Sequence, residues 1–213
     1  MKVHFISGLG ADERVFQFLD LSGIERVYIK WIDPEAQESL VSYANRLTAQ
    51  IDLTQDIILV GISFGGIIAQ EIAKIKVCKK VILISSIKSP NEFSWQLSLV
   101  SFSQVYRLFP AKILKWSNAV TADYYFNTTS KTESKLLHQI IKETDNGFML
   151  WAIDRLMTWK NPNPQKSIIH IHGTSDRIFP ISPIKNCIKV QGGGHFMVVN
   201  KSTELSQIIM ENI

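Results

Sequence analysis

A mainly parallel β-sheet covered by helices on both faces is the architecture expected of this 213-residue chain. Short apolar runs of strand length alternate with segments whose apolar residues recur at helical spacing, which is the pattern of an α/β fold. One junction is especially clear. The run Asp56-Ile57-Ile58-Leu59-Val60 leads directly into Gly61-Ile62-Ser63-Phe64-Gly65-Gly66, and a helical pattern over 67–74 follows at once. Several of the strand-like runs also end in Gly-rich or polar turns, and the C-terminal edge of a parallel sheet is where chemistry gathers.

The elements follow in order. A strand over 3–6 runs into the turn Ser7-Gly8-Leu9-Gly10-Ala11-Asp12. Residues 13–21 have helical spacing at Val15, Phe16, Phe18 and Leu19, with Asp12 placed to cap them and Ser22-Gly23 to end them. A second strand over 26–31 precedes Asp33-Pro34 and a helix over about 39–51, whose inner face is Leu40, Tyr43, Ala44 and Leu47. The 56–60 strand and its helix come next, then a fourth strand over 81–85.

From 88 to 165 the alternation stops and helices follow one another, at roughly 94–108, 111–119, 131–143 and 148–159. This stretch holds four of the five tryptophans, Trp95, Trp116, Trp151 and Trp159, and ends in Asn161-Pro162-Asn163-Pro164. A strand over 167–172, a short helix over 181–186, a last strand over 187–190 and a final helix over 202–213 complete the chain. The order is therefore βαβαβαβ, a helical insertion, then βαβα. Residues 1–87 and 166–213 make one α/β core, and 88–165 the insertion.

Composition agrees with one globular domain: 46% of the residues are hydrophobic and 20% charged, enough to build a sizeable core. Net charge is +4 and the pI about 9.0. The one basic cluster, Lys74, Lys76, Lys79 and Lys80, reads as a solvated face at a helix end, and no nucleic-acid signature accompanies it. Cys78 and Cys187 flank strands and read as packed, reduced thiols, with a disulfide as the alternative. Because a strand begins at residue 3 and no apolar run reaches spanning length, neither a signal peptide nor a membrane span is expected, and a cytoplasmic setting is the default.

Gly61-x-Ser63-x-Gly65 between strand and helix is the context of a nucleophile elbow, a turn so tight that its glycines supply positions without a Cβ. Alone, the same five-residue pattern also fits a plain turn. A serine hydroxyl is a poor nucleophile at neutral pH and needs a base, which in turn needs an orienting carboxylate. The fifth strand ends four residues before Asp176, and the last strand ends five residues before His195. Strand one ends at Gly8-Leu9-Gly10, where backbone N–H groups are free to face a ligand.

These residues resemble the α/β-hydrolase family. The matching stretches are Gly8-Leu9-Gly10, Gly61 to Gly66, His172-Gly173-Thr174-Ser175-Asp176-Arg177-Ile178-Phe179-Pro180 and Gly193-Gly194-His195-Phe196, so the resemblance spans nearly the whole chain. It implies an α/β-hydrolase fold with a sheet of about six strands that begins at the strand carrying the oxyanion loop. It implies that Ser63 is the nucleophile, His195 the base and Asp176 its partner, with oxyanion donors at the backbone N–H of Leu9 and Phe64. It also implies that 88–165 is the family's cap. Where the family often has His-Gly after the first strand, this chain has Ser7-Gly8.

Other candidates have plainer readings. His172 and His170 share one strand face and read as packing rather than a metal pair, and His4 and His138 read as structural. Asp12 and Arg14 are explained equally by capping with a surface ion pair and by substrate contact. Arg177 reads as a solvated side chain, with an anionic substrate as the alternative. Trp95, Tyr125, Trp151, Trp159 and Phe179 are the candidates for lining a substrate pocket.

The resulting expectation is a cofactor-free, metal-free serine hydrolase acting on small to medium apolar esters or thioesters, as a monomer or homodimer. Other reactions on the same scaffold (C–C hydrolysis, lyase or haloperoxidase chemistry) stay open, as does a ligand-binding module.

Overall fold

Six strands form one parallel sheet in the order β2-β1-β3-β4-β5-β6. The strands are β1 (Lys2–Ile6), β2 (Glu25–Ile29), β3 (Ile58–Ile62), β4 (Lys80–Ile84), β5 (Ile168–Gly173) and β6 (Ile188–Val190). The helices are α1 (Leu40–Leu47), α2 (Phe64–Ile75), α3 (Trp95–Ser103), α4 (Ala111–Phe126), α5 (Lys131–Glu143), α6 (Asn146–Thr158), α7 (Met197–Asn200) and α8 (Ser202–Asn212). This computed structural model describes residues 2–52, 56–165 and 167–213, without the side chains of Trp116 and Asn118. Lys166, where the core is expected to resume, lies outside the described residues.

The sequence explains the order of the sheet. β3 reads Ile-Leu-Val-Gly-Ile and every residue of it is buried, because it runs between β1 and β4 with both faces covered. The edge strands β2 and β6 carry exposed residues instead. One apolar layer packs α1 and α2 onto the sheet through Tyr43, Leu47, Ile67 and Ile68. The opposite layer uses Val15, Phe16, Leu205 and Ile209. In register, Gly61 lies opposite both Ile6 and Leu83, so β1, β3 and β4 end nearly level at one edge.

Helices α3–α6 fall between β4 and β5, as an insertion. The helix expected over 111–119 runs on to Phe126 and stops at Asn127, whose φ of 56° is a left-handed cap. The helix expected over 94–108 breaks at Gln104, φ 52°, into α3 and a 3-10 turn over Val105–Leu108.

Two expectations need correction. Residues 13–21 form only a 3-10 turn over Glu13–Phe16, capped by Asp12. Leu21 is buried together with Val15, Phe16 and Leu19, and a continuous helix would turn Leu21 away from the other three, so tertiary burial overrides the helical spacing. No helix forms over 181–186: Pro183 lacks an N–H and Asn186 is left-handed at φ 53°, leaving one turn closed by Ile184 N–H to the Ile181 carbonyl. The short α7, which begins two residues after His195, was not expected.

Cys78 and Cys187 are free and half-buried, and burial pushes the Cys78 thiol up to about 11. Among the described residues no helix is long and apolar enough to cross a membrane.

Candidate active site

Ser63 joins β3 to α2 at φ 52°, ψ −120°, a conformation that a non-glycine residue holds at a cost of about 1–3 kcal/mol. The surroundings impose it. The Ser63 N–H donates to the Ile84 carbonyl at 3.0 Å, and the Ser63 carbonyl accepts from Ser86 Oγ at 2.7 Å and from Gly66 N–H at 3.0 Å. The turn is also closely packed. A β-carbon at Gly65 would drive into the carbonyl oxygens of Ser7 and Ile6, and one at Gly61 into the carbonyl of Gly65. The two glycines are therefore required by close backbone approach.

The turn brings Ser63 to a histidine from the far end of the chain. Ser63 Oγ lies 2.9 Å from His195 Nε2, and His195 Nδ1 lies 2.8 Å from Asp176 Oδ2. Asp176 accepts two further bonds at Oδ1, from the N–H groups of Ile178 and Phe179, each at 2.9 Å. With Asp176 ionised, Nδ1 of His195 must carry a proton, which leaves Nε2 as the acceptor facing Ser63. His195 and Asp176 are both buried. The rings of Phe126 and Phe179 flank the imidazole, with centroids 5.2 and 5.6 Å away.

The loop after β1 completes the site. Gly10 turns it at φ 69°. Ser7 Oγ donates to the Ala11 carbonyl at 2.6 Å, and Ala11 N–H to the Gly8 carbonyl at 3.0 Å. Ser7 thus closes the loop that starts where the family often has histidine. Trp31 Nε1–H adds a bond to the Gly8 carbonyl at 3.2 Å. Leu9 of this loop and Phe64, the first residue of α2, both line the space above Ser63. Phe64 N–H belongs to the first turn of α2, whose amides have no partner within the helix.

That space is a cavity of about 320 Å³. Leu9, Ser63 and His195 line one end of it, and Leu137, Ile140, Met149, Ile153 and Leu156 of the insertion form its apolar wall. Among the described residues, Thr144 is the one polar side chain that the insertion contributes, and its hydroxyl is already bonded to the Ile140 carbonyl at 2.8 Å.

Of the aromatic residues expected to line a pocket, Phe179 faces this cavity and four do not. Trp95 is 73% exposed on the outside of α3, and Tyr125 projects outward against Tyr124. The Trp151 ring lies tilted against Tyr43, centroids 4.3 Å apart, and donates Nε1–H to the Glu38 carbonyl at 2.9 Å. Trp159 is buried and donates to Glu71 Oε1 at 2.7 Å. Each of these two indoles follows its N–H to an acceptor on the core, so the two fasten the insertion down instead of facing the cavity. The aliphatic wall was missed, because helical spacing alone does not tell which of two buried faces a cavity touches.

The remaining candidates are accounted for locally. His172 Nε2 donates to the Phe179 carbonyl at 2.8 Å, and His170 Nε2 to the Ser86 carbonyl at 3.0 Å. Burial holds both below the ordinary histidine pKa, His170 down to about 3, so both are neutral near pH 7. Burial likewise lowers His4, and His138 pairs with Asp123. Arg14 binds Asp12 and, at 2.5 Å, Glu143 of α5. Arg177 donates to the Tyr124 carbonyl at 2.6 Å and stacks on that ring at 4.2 Å. Among the described residues, no three His, Cys, Asp or Glu side chains gather as a metal ion would need.

Known proteins supply the frame for this arrangement. No curated protein matches the chain at the sequence level. Among solved structures it is similar to a thermophilic esterase from Thermogutta terrifontis, with a TM-score of 0.72 and 15% identity over 99% of this chain and 88% of the other. It is similar to a lipase-esterase related protein from Clostridium acetobutylicum (0.68, 13%, 100% and 94%) and to a bromoperoxidase from Bacillus anthracis (0.68, 16%, 99% and 91%). At these identities the likeness concerns the fold. The model of the alpha/beta hydrolase family matches residues 5–207, nearly the whole chain, and the protein belongs to that family.

Proposed function

We propose that the protein is a serine hydrolase that cleaves carboxylic esters or thioesters of small to medium apolar acids. The observation that carries this reading is the unbroken relay from Ser63 through His195 to Asp176, at 2.9 and 2.8 Å, opening into an apolar cavity. His195 Nε2 takes the Ser63 proton as Oγ attacks the carbonyl carbon. The carbonyl oxygen becomes an oxyanion held by the Leu9 and Phe64 N–H groups, and the α2 N-terminus adds its dipole. His195 then gives the proton to the leaving alcohol or thiol, and an acyl-Ser63 ester forms. Water, deprotonated by His195, attacks that ester, and Ser63 recovers its proton. Asp176 holds the tautomer and stabilises the imidazolium. The reaction calls for no cofactor.

In this reading 88–165 is the cap over a core of 1–87 and 166–213. The aliphatic inner wall selects an uncharged acyl group, since an ionised one would be buried there without a partner. A panel of p-nitrophenyl esters and acyl thioesters of increasing chain length tests the reading, with Ser63→Ala as control. Turnover should fall by about 10⁴-fold or more in the variant. Ester hydrolysis unchanged in Ser63→Ala would overturn the assignment.

The likeness to a bromoperoxidase supports a second reading, cofactor-free haloperoxidase chemistry on the same residues. Peroxide-dependent halogenation, with poor ester turnover across the panel, would favour it.

A further inference from the structure

The outside of the insertion carries an apolar surface that the active site does not use. Trp95, Phe102 and Leu108 are 73, 90 and 80% exposed. Trp95, Leu99 and Phe102 stand four and three residues apart, so they form one stripe along α3, and Leu108 follows in the next turn. From 93 to 106 the chain holds no charged residue. Bulky apolar tips gathered this way mark a surface that meets a partner.

Charge says which partner. Residues 93–122 contain Arg107, Lys112 and Lys115 and no carboxylate of their own. Arg107 is paired with Asp154, whereas Lys115 Nζ is bonded to the carbonyls of Lys142 and Thr144. Across 88–165 there are nine Lys and Arg against six Asp and Glu, so most of the chain's net +4 resides in the insertion.

We infer that this face docks on an anionic phospholipid surface, with Trp95, Phe102 and Leu108 set among the acyl chains and the cations against phosphate groups. Apolar burial and attraction to anionic lipid act together at such interfaces. A second copy of the chain is the poorer occupant. A two-fold dimer through this face would gather Arg107, Lys112 and Lys115 from each copy against one paired carboxylate, Asp154, on each side, an excess of like charge. The docking stands independently of the proposed hydrolysis.

The test is co-sedimentation of the full chain with phosphatidylcholine vesicles, with and without phosphatidylglycerol. Binding is expected only with phosphatidylglycerol and should weaken as salt rises. The double variant Phe102→Ser, Leu108→Ser should bind at least about tenfold more weakly with an unchanged thermal midpoint, since both side chains lie in solvent. Lys112→Glu should weaken binding severalfold. No binding to anionic vesicles, equal binding to neutral ones, or equal binding by the double variant would overturn the inference. So would a stable dimer in sedimentation equilibrium that the double variant splits, because the face would then belong to a second copy.

Discussion

The Ser86 hydroxyl donates a 2.7 Å hydrogen bond to the carbonyl oxygen of Ser63, from a position just beyond the end of β4. The bond fixes the peptide that follows the strained residue, so Ser86 positions the Ser63 hydroxyl without touching a substrate. Ser86→Ala should lower kcat about tenfold with little change in KM, and lower stability by about 1–2 kcal/mol for the lost buried bond. Steady-state kinetics and urea unfolding on the same variant check both; a change confined to KM would contradict the positioning role.

Asp176→Asn tests the other end of the relay. Oδ1 would still accept from Ile178 and Phe179, so the loop should keep its shape. The amide cannot hold the same His195 tautomer or stabilise its cation. A fall in kcat on the order of 10³–10⁴-fold is expected, with a native circular dichroism spectrum.

Gly65→Ala should fail at the level of folding. Its β-carbon would meet the carbonyl oxygens of Ser7 and Ile6, which belong to a buried strand end and cannot move aside cheaply. Soluble yield and thermal midpoint should both collapse, a loss of roughly 3 kcal/mol or more. A well-folded Gly65→Ala protein would contradict the packing of this turn.

Much of this site was legible in the sequence, and the reason is local. The turn at Ser63 needs glycines within two residues, and Asp176 and His195 sit in short loops just after strands, so neighbouring residues announce them. Ser86, Trp31 and Thr144 left no such mark. Their contributions run through bonds or contacts to residues distant in the chain: Ser86 to Ser63, Trp31 to Gly8, Thr144 against Gly10. The alternation that located β3 and α2 could not choose which face of α4, α5 or α6 turns to the cavity. The bulky tryptophans misled for that reason, while Ile140, Met149 and Ile153 form the wall.

The wall therefore makes its own prediction. Ile153→Trp should shorten the cavity and raise KM for longer acyl esters about tenfold while short esters are hardly affected. Trp159→Phe should act on stability instead. It loses the N–H bond to Glu71 and about 1–2 kcal/mol of stability, with the chain-length profile unchanged.

Acid should destabilise the fold through its buried histidines. His170 titrates near 3 when folded because burial disfavours its charged form, and His172 and His4 are lowered for the same reason. The unfolded chain takes up these protons near pH 6.5, and the folded chain only at lower pH, about 3 for His170. Stability is then complete above about pH 6.5 and falls toward acid, by up to about 1.4 kcal/mol per pH unit from His170, with His172 and His4 adding in the same direction. Urea midpoints at pH 7 and pH 5 measure this slope, and His170→Gln should make it shallower.

The central claim is an activated Ser63. Intact mass after exposure to a fluorophosphonate probe tests it most directly, with Ser63→Ala as control. One adduct is expected on the wild-type chain and none on the variant. A folded wild-type protein that takes no adduct, or a variant that still takes one, would contradict it.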